Sequence, residues 1–376
     1  MRMKICVDAR EFTGRGKTGI ARCLENLLIP LGSRGDLEFT LLAHDRRFLP
    51  AALQAPPFGF VSLAEAPTLL VDQLAMSDAA SREKADVFFS PYYKIPLYGA
   101  FKRIITVHDI MFLRLSTVPL IKKLISGLQL RLSIVRTDLI LADSEFTKND
   151  VSSLLPAAEK KLRVLYPSLE PEWLKQPDPY AAAEARTHFA GGKPFFLYVG
   201  NFKPHKNVPL LVRAFAGLKA EGKAGEHRLV LAGGDDRNLA HIEVLIEQSG
   251  CMDSILIHRD VSDADLRSLY ASADWFITAS SYEGFGYPVL EAMASGCPVI
   301  CHPCTSIPEI AGDAALNLLV LDISDISRMM IKAMAMSGVE KDALVRKARA
   351  RATRFCSTSS SHLFAEMLLS LSPPRT

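Results

Sequence analysis

The sequence predicts an α/β protein with two doubly wound, parallel-sheet domains in tandem. The chain has 376 residues, of which 49% are apolar, and this is enough to fill two hydrophobic cores. Short, almost continuously apolar strands alternate with helical stretches, which is typical of parallel sheets covered on both faces. The alternation is lost at residues 168–193, where prolines and glycines cluster. This break predicts a linker between two similar domains.

The first alternating run predicts a domain at residues 1–185. Apolar segments bounded by turn residues indicate its strands, and longer amphipathic segments indicate helices between them. The predicted strands are residues 4–10, 38–44, 59–63, 86–90, 103–109, 138–143 and 161–166. The most evident helices are residues 20–31, 118–137 and 147–155.

The second run predicts a domain at residues 190–352, and a last helix at about 355–372 is expected to pack back on the first domain. Because ligands bind at the carboxyl ends of the strands in such sheets, we expect the active site in a cleft between the domains. The predicted strands are residues 195–200, 228–233, 254–258, 274–279, 298–302 and 316–320. The predicted helices are residues 208–220, 237–249, 263–271, 289–295, 306–311 and 323–336.

The composition disfavours several classes of function. A net charge of +3 without a block of lysines and arginines argues against nucleic-acid binding. No apolar run reaches the roughly 18 residues that span a bilayer, and the first residues lead into a strand rather than a signal peptide. The seven scattered cysteines suit a reducing cytosol better than a disulfide framework. We therefore expect a cytoplasmic protein.

Residues 280–300 form the stretch around which the second domain is organised. An apolar strand leads into a glycine-containing turn, and a short helix is expected to begin near Pro288. Glu283 and Glu291 stand on either side of this turn, eight positions apart. The backbone N–H groups of the turn and the helix N-terminus can hold a phosphate. The stretch therefore predicts a site for a phosphorylated, hydroxyl-rich ligand such as a nucleotide sugar.

Two other strand ends carry polar side chains that fit such a ligand. His205 and Lys206 lie at a strand-to-helix turn, where they can neutralise a diphosphate, although a solvated basic turn has the same pattern. His108 and Asp109 end a strand of the first domain. A neutral imidazole there could bond a sugar hydroxyl, and Asp109 could orient an acceptor. The alternative is a buried histidine followed by an aspartate that starts a helix.

The glycine-rich segment from Gly14 to Gly19 has the form of a dinucleotide-binding fingerprint between a strand and a helix. The turn before it is longer than usual, and the second strand lacks a clear ribose-binding acid. An NAD(P)-dependent oxidoreductase is therefore an alternative class of function. A flexible loop that faces a cleft explains the segment equally well.

A cysteine- and histidine-containing segment superficially resembles a metal site. It comprises Cys297, Cys301, His302 and Cys304. Residues 297–301 lie on a predicted strand, in which side chains alternate between the two faces, so we expect no metal there. No Asp-x-Asp segment of the sequence is interpreted as a metal site, and no cofactor is expected.

The pattern of residues 118–137 is typical of a basic amphipathic helix. Lys122, Lys123, Arg131 and Arg136 are interspersed with many apolar residues. Such a helix can rest on an anionic membrane surface. Core packing with solvated lysines is the commoner explanation of the pattern.

The sequence resembles the retaining glycosyltransferases of family 4, which have the GT-B fold of two Rossmann-like domains facing a central cleft. Its E-x7-E block is similar to that of mannosyl-adding members of the family, and the resemblance covers about two thirds of the chain. The segments that carry the resemblance are residues 7–10, 19–22, 108–109, 198–200, 204–207, 231–234, 261–274, 281–296 and 308–315.

The resemblance implies roles for individual residues. Glu283 would meet the donor sugar, Glu291 would bond the ribose hydroxyls and Lys206 would contact the diphosphate. Asn201 and His205 stand where many members carry arginine, which weakens the fixed positive charge. The implied catalytic residues are His108, Asp109, Lys206 and Glu283. The implied donor-binding residues are Gly19, Asn201, His205, Lys206, Val261, Glu283, Gly284, Phe285, Gly286, Tyr287, Pro288, Val289 and Glu291.

From these features we expect a metal-independent, retaining hexosyltransferase at the cytoplasmic membrane surface. It would move a hexose from a GDP- or UDP-sugar, with mannose from GDP-mannose favoured, to a surface-glycan or lipid-linked saccharide. Besides the oxidoreductase, the alternatives are a non-catalytic nucleotide-sugar-binding module and a sugar-nucleotide epimerase of the same architecture.

Overall fold

The computed structural model describes residues 2–14, 18–64, 66, 68–115, 118–234, 236–259 and 261–371. The chain forms two compact units, each with a parallel sheet and flanking helices. Unit 1 comprises Met1–Glu170 and Phe355–Thr376, and unit 2 comprises Pro171–Arg354. The predicted class of two doubly wound α/β domains is thus confirmed. The division between the units falls at residue 170, earlier than the expected 185–190.

Unit 1 is built on a seven-stranded sheet with the order β3-β2-β1-β4-β5-β6-β7, and every pair in it is parallel. Successive side chains point to opposite faces, so Ile5 and Phe89 belong to one core cluster whereas Cys6 and Phe88 belong to another. The strands are β1 (Met3–Asp8), β2 (Leu37–Ala43), β3 (Phe58–Ser62), β4 (Val87–Ser90), β5 (Lys102–Val107), β6 (Leu139–Ala142) and β7 (Leu162–Val164).

The last helix of the chain lies in the core of unit 1. The Phe364 side chain is fully buried, and its ring centroid is 4.9 Å from that of Phe89. The Ser361 hydroxyl donates to the Leu27 carbonyl at 2.8 Å, which ties this helix to the first one. The α-helices described in unit 1 are α1 (Gly19–Leu28), α2 (Leu69–Arg82), α3 (Met111–Arg114), α4 (Leu120–Arg136), α5 (Glu145–Leu154) and α14 (Ser357–Ser370).

Unit 2 repeats the architecture with a six-stranded parallel sheet of order β10-β9-β8-β11-β12-β13. Phe196 and Trp275 on one face of this sheet pack in a cluster with Phe215 and Met330 from two helices. The strands are β8 (Phe195–Val199), β9 (Arg228–Ala232), β10 (Ile255–His258), β11 (Trp275–Thr278), β12 (Val299–Cys301) and β13 (Leu316–Asn317). The α-helices described are α6 (Pro179–Ala190), α7 (Val208–Ala220), α8 (Asp236–Gln248), α9 (Asp263–Ser272), α10 (Tyr287–Ala294), α11 (Ile307–Ala311), α12 (Ile323–Ala335) and α13 (Gly338–Ala352).

Helix α6 shows that the predicted linker was wrong. The Asp178 side chain accepts from the Tyr180 N–H at 2.9 Å and caps the helix, and Pro179 occupies its first position. Gly191 ends the helix with a left-handed φ of 56°. The prolines and glycines of this stretch therefore bound a helix of unit 2 rather than connect two domains.

The described part of the chain contains no helix that is both long and apolar enough to cross a membrane.

Candidate functional site

The candidate site lies at the carboxyl ends of β8 and β11 in unit 2. These strands are neighbours at the point where the strand order of the sheet reverses. In doubly wound sheets this reversal leaves a crevice between the loops that follow the two strands, and ligands bind there. The loops here are residues 200–207 after β8 and residues 279–286 after β11.

Hydrogen bonds near the start and at the end of the first loop fix its conformation. Gly200 has a φ of 146°, and the Tyr198 hydroxyl donates to the Asn201 carbonyl at 2.6 Å. Asn207 adopts a left-handed conformation directly before α7. Its side-chain amide donates to the Ala279 carbonyl at 2.9 Å, so it joins this loop to the second one.

The second loop lies against the first and leads into α10. The Ser281 N–H and hydroxyl both donate to the His205 carbonyl, at 2.8 and 3.2 Å. Gly286 precedes the helix with a φ of 109°, and a Cβ atom there would lie 2.7 Å from the Ile307 side chain. Glycine is thus required by both the backbone conformation and the lack of space.

A third loop, at residues 304–306, supports the second. The Thr305 hydroxyl accepts from the Glu283 N–H at 2.9 Å and donates to the Glu283 carbonyl at 2.8 Å. The Ser306 hydroxyl lies 3.0 Å from the Glu283 carbonyl and 2.8 Å from that of Phe285. The sequence singled out neither hydroxyl as a site residue. The signal available in the sequence was that these two small polar residues follow strand β12.

The three loops bring together two predicted site residues, Lys206 and Glu283. The Lys206 ammonium lies 2.6 Å from a Glu283 carboxylate oxygen. Their side chains are only 13% and 14% exposed, so both charges are largely removed from water. In a pair of this kind the ammonium is suited to bind an anion, and the carboxylate is suited to accept a hydrogen bond from a hydroxyl.

His205 contributes no positive charge at neutral pH. Burial, together with the repulsion from Lys206, lowers the pKa of its imidazole to about 4. The expectation that a histidine here weakens the fixed charge of the loop is consistent with this shift. Lys206 is therefore the cation of this loop that lies closest to the Glu283 carboxylate.

Glu291 has a different environment from Glu283. It lies in the second turn of α10 and is 3% exposed, and the Tyr270 hydroxyl donates to one of its oxygens at 2.9 Å. The Trp173 ring packs edge-on against Tyr270, with centroids 6.0 Å apart. Tyr270 was not among the predicted site residues, since nothing in its sequence context marks it apart from the other apolar residues of α9.

Most of the remaining predicted residues of unit 2 lie between these two carboxylates in sequence. Phe285 and Val289 are buried, and the Phe285 ring meets the Tyr287 ring edge-on at 5.5 Å. The side chains of Phe285 and Val289 therefore support the turn from inside. A ligand would contact the backbone groups of the turn. Gly284 lies in the same turn, Pro288 is the second residue of α10, and Val261 precedes the cap of α9.

His108 and Asp109 lie in unit 1, after β5. One ring nitrogen of His108, Nδ1, lies 2.7 Å from the Asp143 carboxylate, and Nε2 lies 2.9 Å from the Pro91 carbonyl. Burial disfavours the charged ring, but Asp143 and the Pro91 carbonyl together raise its pKa above the ordinary value. An acceptor thus lies at each ring nitrogen, and these contacts favour the protonated ring. The predicted bond from a neutral imidazole to a sugar hydroxyl stays a prediction.

Asp109 has a local role in the structure, because its carboxylate accepts from the Met111 N–H at 2.9 Å at the start of α3. This matches the predicted alternative of a helix-starting aspartate. Asp143, the partner of His108, was missed by the sequence reasoning. The signal was available, since it directly follows the apolar strand β6.

The glycine-rich segment of unit 1 is described only in part. Gly14 has a φ of 73°, and a Cβ there would meet the Phe48 ring at 2.7 Å. Gly19 is the first residue of α1, and the Thr18 hydroxyl caps this helix by accepting from the Ala21 N–H at 3.1 Å. Residues 15–17 lie outside the described part of the chain, so the predicted dinucleotide fingerprint is covered only at its ends.

No cluster suited to a metal occurs among the described residues: nowhere do three His, Cys, Asp or Glu side chains group to hold an ion. Burial raises the pKa of Cys301 to about 12 and that of Cys304 to about 11. Both thiols are therefore protonated at physiological pH in the structure as it stands.

Comparison with known proteins relates this site to one class. Residues 181–351 match the family model described as "Glycosyl transferases group 1". The O-antigen chain mannosyltransferase B of Escherichia coli is 29% identical over 196 residues, 52% of this chain and 51% of that protein. The serotype-specific mannosyltransferase WbdA of Escherichia coli is 33% identical over 175 residues, 46% of this chain and 21% of that protein. The Anabaena protein HepE, solved with UDP and glucose, has a TM-score of 0.77 and 17% identity, covering 98% of this chain and 100% of that one.

The fold is that of the GT-B class, with two Rossmann-like parallel-sheet units. The matched region lies within unit 2, and it supports the predicted resemblance to the family 4 glycosyltransferases. The chain spans about half of the first curated relative, 51%, and about a fifth of the second, 21%.

Proposed function

We propose that this protein transfers a hexose from a nucleotide sugar to a surface-glycan or lipid-linked saccharide with retention of anomeric configuration. Mannose from GDP-mannose is the favoured donor, because the two relatives described above are named as mannosyltransferases. The observation that carries the proposal is the Lys206–Glu283 pair at the strand-order reversal of unit 2.

The chemistry of the reaction matches the two charges. As the glycosidic bond of the donor breaks, the leaving nucleoside diphosphate gains negative charge and the sugar ring becomes oxocarbenium-like. The Lys206 ammonium and the N–H groups at the start of α10 would stabilise the diphosphate. The Glu283 carboxylate would accept hydrogen bonds from sugar hydroxyls. These groups supply the stabilisation without a step that needs a metal.

The acceptor class is supported by the names of relatives alone. The first relative is named for the O-antigen chain, and a relative from Campylobacter jejuni is named for a diphospho-undecaprenol acceptor. The first name describes a saccharide chain, and the second describes a saccharide on a diphospho-undecaprenol carrier. We therefore propose a membrane-attached saccharide acceptor for this chain.

A panel of nucleotide sugars tests the proposal. The purified protein is incubated with GDP-mannose and with UDP- and GDP-hexoses, with and without saccharide acceptor, and the released diphosphate and the sugar products are measured. Acceptor-dependent release of GDP or UDP is expected. Binding without turnover would indicate a non-catalytic module, isomerised donor would indicate an epimerase, and the absence of any binding would contradict the proposal.

We also propose that α4 contacts the cytoplasmic membrane surface. Its inner side contributes Leu130, Ser133 and Ile134 to the protein interior. The opposite side carries apolar side chains that are 50% to 73% exposed, namely Leu120, Ile121, Leu124, Ile125, Leu128, Leu132 and Val135. Such an exposed apolar stripe is costly in water and is stabilised at the boundary between headgroups and acyl chains.

The charges of α4 favour anionic lipids. The helix contains lysines and arginines at four positions and no acidic residue: Lys122, Lys123, Arg131 and Arg136. Sedimentation with vesicles of phosphatidylglycerol and phosphatidylcholine tests the contact. The double variant Ile121→Gln, Ile125→Gln should lose most of the bound fraction, whereas Val339→Gln, at a position 79% exposed in α13, should not. Equal binding of all three proteins would contradict the contact.

A further inference from the structure

Glu283 is fastened through its backbone by two side chains of the loop at residues 304–306. The Thr305 hydroxyl bonds both the N–H and the carbonyl of Glu283, at 2.9 and 2.8 Å. These two groups belong to the peptide planes before and after the residue. Fixing both planes fixes the direction in which the Glu283 side chain leaves the backbone.

Ser306 acts on the next part of the turn. Its hydroxyl, which is buried, lies 3.0 Å from the Glu283 carbonyl and 2.8 Å from the Phe285 carbonyl. In a trans peptide the N–H points opposite to the carbonyl. Drawing these two carbonyls toward the hydroxyls therefore turns the N–H groups of Gly284 and Gly286 to the opposite side of the turn.

Two features indicate that the Thr305 and Ser306 hydroxyls stabilise the turn at residues 283–286 rather than their own loop. Thr305 has a φ of 48°, a left-handed conformation that is strained for a β-branched residue. Ser306 occupies the cap position of α11, yet its side chain makes no cap hydrogen bond there. A serine at this position ordinarily bonds the N–H groups of its helix.

We propose that Thr305 and Ser306 are positioning residues for sugar transfer. They hold the Glu283 carboxylate beside Lys206 and aim the N–H groups of Gly284 and Gly286 at the donor. The inference rests on the proposed function, because it assigns these residues a part in the transfer reaction at the same site. The residues do not themselves touch the reacting atoms.

Three variants test this role. Thr305→Val keeps the shape of the side chain and removes the hydroxyl, Thr305→Ser keeps the hydroxyl, and Ser306→Ala removes the second contact. Thr187→Val is the matched control, since the Thr187 hydroxyl donates to the Ala183 carbonyl at 3.0 Å within α6 of the same unit. Thermal unfolding establishes that each variant is folded.

We expect Thr305→Val to lower kcat by about tenfold or more, as for the loss of one oriented donor group, and to change KM for the nucleotide sugar by less than about threefold. Thr305→Ser should restore kcat to within about threefold of the wild type. Ser306→Ala should lower kcat in the same direction. Thr187→Val should match the wild type, and equal kcat values for all variants would overturn the proposal.

Hydrogen exchange separates this inference from the proposed function. The amides of residues 283–286 should exchange faster in Thr305→Val and Ser306→Ala than in the wild type and in Thr305→Ser. If the wild-type protein turns over no nucleotide sugar, the proposed function fails, and the positioning of a catalytic carboxylate falls with it. If the wild type is active and neither exchange nor kcat responds to the variants, only the positioning role is overturned.

Discussion

The Lys206 ammonium lies 2.6 Å from the Glu283 carboxylate, although the two residues are 77 positions apart in the chain. They meet because the loops after β8 and β11 are neighbours at the reversal of the strand order. Both side chains are mostly buried, so removal of either leaves a charge without its partner. The pair is the electrostatic centre of the proposed site.

Replacing Lys206 by Met is expected to lower kcat by roughly 10²- to 10³-fold, because a preorganised charge at the leaving diphosphate is lost. Lys203→Met is the matched control, since Lys203 lies on the same loop and is exposed. Steady-state transfer kinetics on the donor that the wild type uses measure both variants. Similar losses for the two lysines would show that the loop acts through its overall charge instead.

Replacing Tyr270 by Phe is expected to destabilise unit 2 by about 1–3 kcal/mol, because Glu291 is buried and loses a hydrogen-bond donor. Urea unfolding measures the change. Tyr180→Phe serves as the control, because Tyr180 is 84% exposed. A stability of Tyr270→Phe equal to that of the control would indicate that the carboxylate does not depend on this hydroxyl.

Replacing Gly286 by Ala is expected to destabilise the start of α10 by roughly 1–3 kcal/mol, because a left-handed φ of 109° and a contact of 2.7 Å to Ile307 both oppose a side chain. Gly217→Ala in α7 is the opposite case. A Cβ there meets nothing within 4 Å, so helix propensity should raise stability by up to about 1 kcal/mol. Thermal unfolding measures the stability of both variants. A change of the same sign in the two variants would contradict this account.

His108 should make the stability of unit 1 depend on pH. The folded state raises the pKa of the ring, so the folded protein binds this proton more tightly than the unfolded chain does. The resulting stabilisation is fully present below the ordinary histidine pKa of about 6.5 and is lost as the pH rises through the higher folded-state value.

The comparison of the wild type with His108→Gln isolates this effect. The difference between their unfolding free energies should be largest near pH 5.5 to 6 and should shrink toward alkaline pH. Asp143→Asn should remove most of the same dependence, because Asp143 supplies the attraction that favours the charged ring. A difference that grows with pH would contradict a raised pKa of His108 in the folded protein.

The strands and the repeated architecture were predictable from the sequence because both sheets are buried on both faces. Each strand is then a nearly continuous apolar run, so its position can be recognised from the sequence without tertiary information. Helix α2 was not predicted, since its buried face includes Asp72, Gln73 and Ser77 and lacks an apolar period. The Asp72 carboxylate is buried against the guanidinium of Arg10, a contact that no local pattern reveals.

The site was predictable only where a side chain belongs to a recognisable motif. Lys206 and Glu283 lie in loops that follow strands and contain glycine or proline, so their place at the sheet edge could be inferred. Thr305 and Tyr270 act by reaching another element, and such contacts depend on loop geometry. Thr305 in addition has a left-handed conformation that its residue type disfavours, so sequence preference points away from it.

Transfer of labelled mannose from GDP-mannose to a lipid-linked saccharide, measured for the wild type and for Glu283→Gln, tests the central claim most directly. The substitution preserves the size of the side chain and removes its charge. We expect the wild type to release GDP in step with the mannose transferred, and Glu283→Gln to lose at least about 10²-fold in rate while its thermal unfolding stays cooperative. Undiminished transfer by a folded Glu283→Gln protein would contradict the assignment of this carboxylate to the donor sugar.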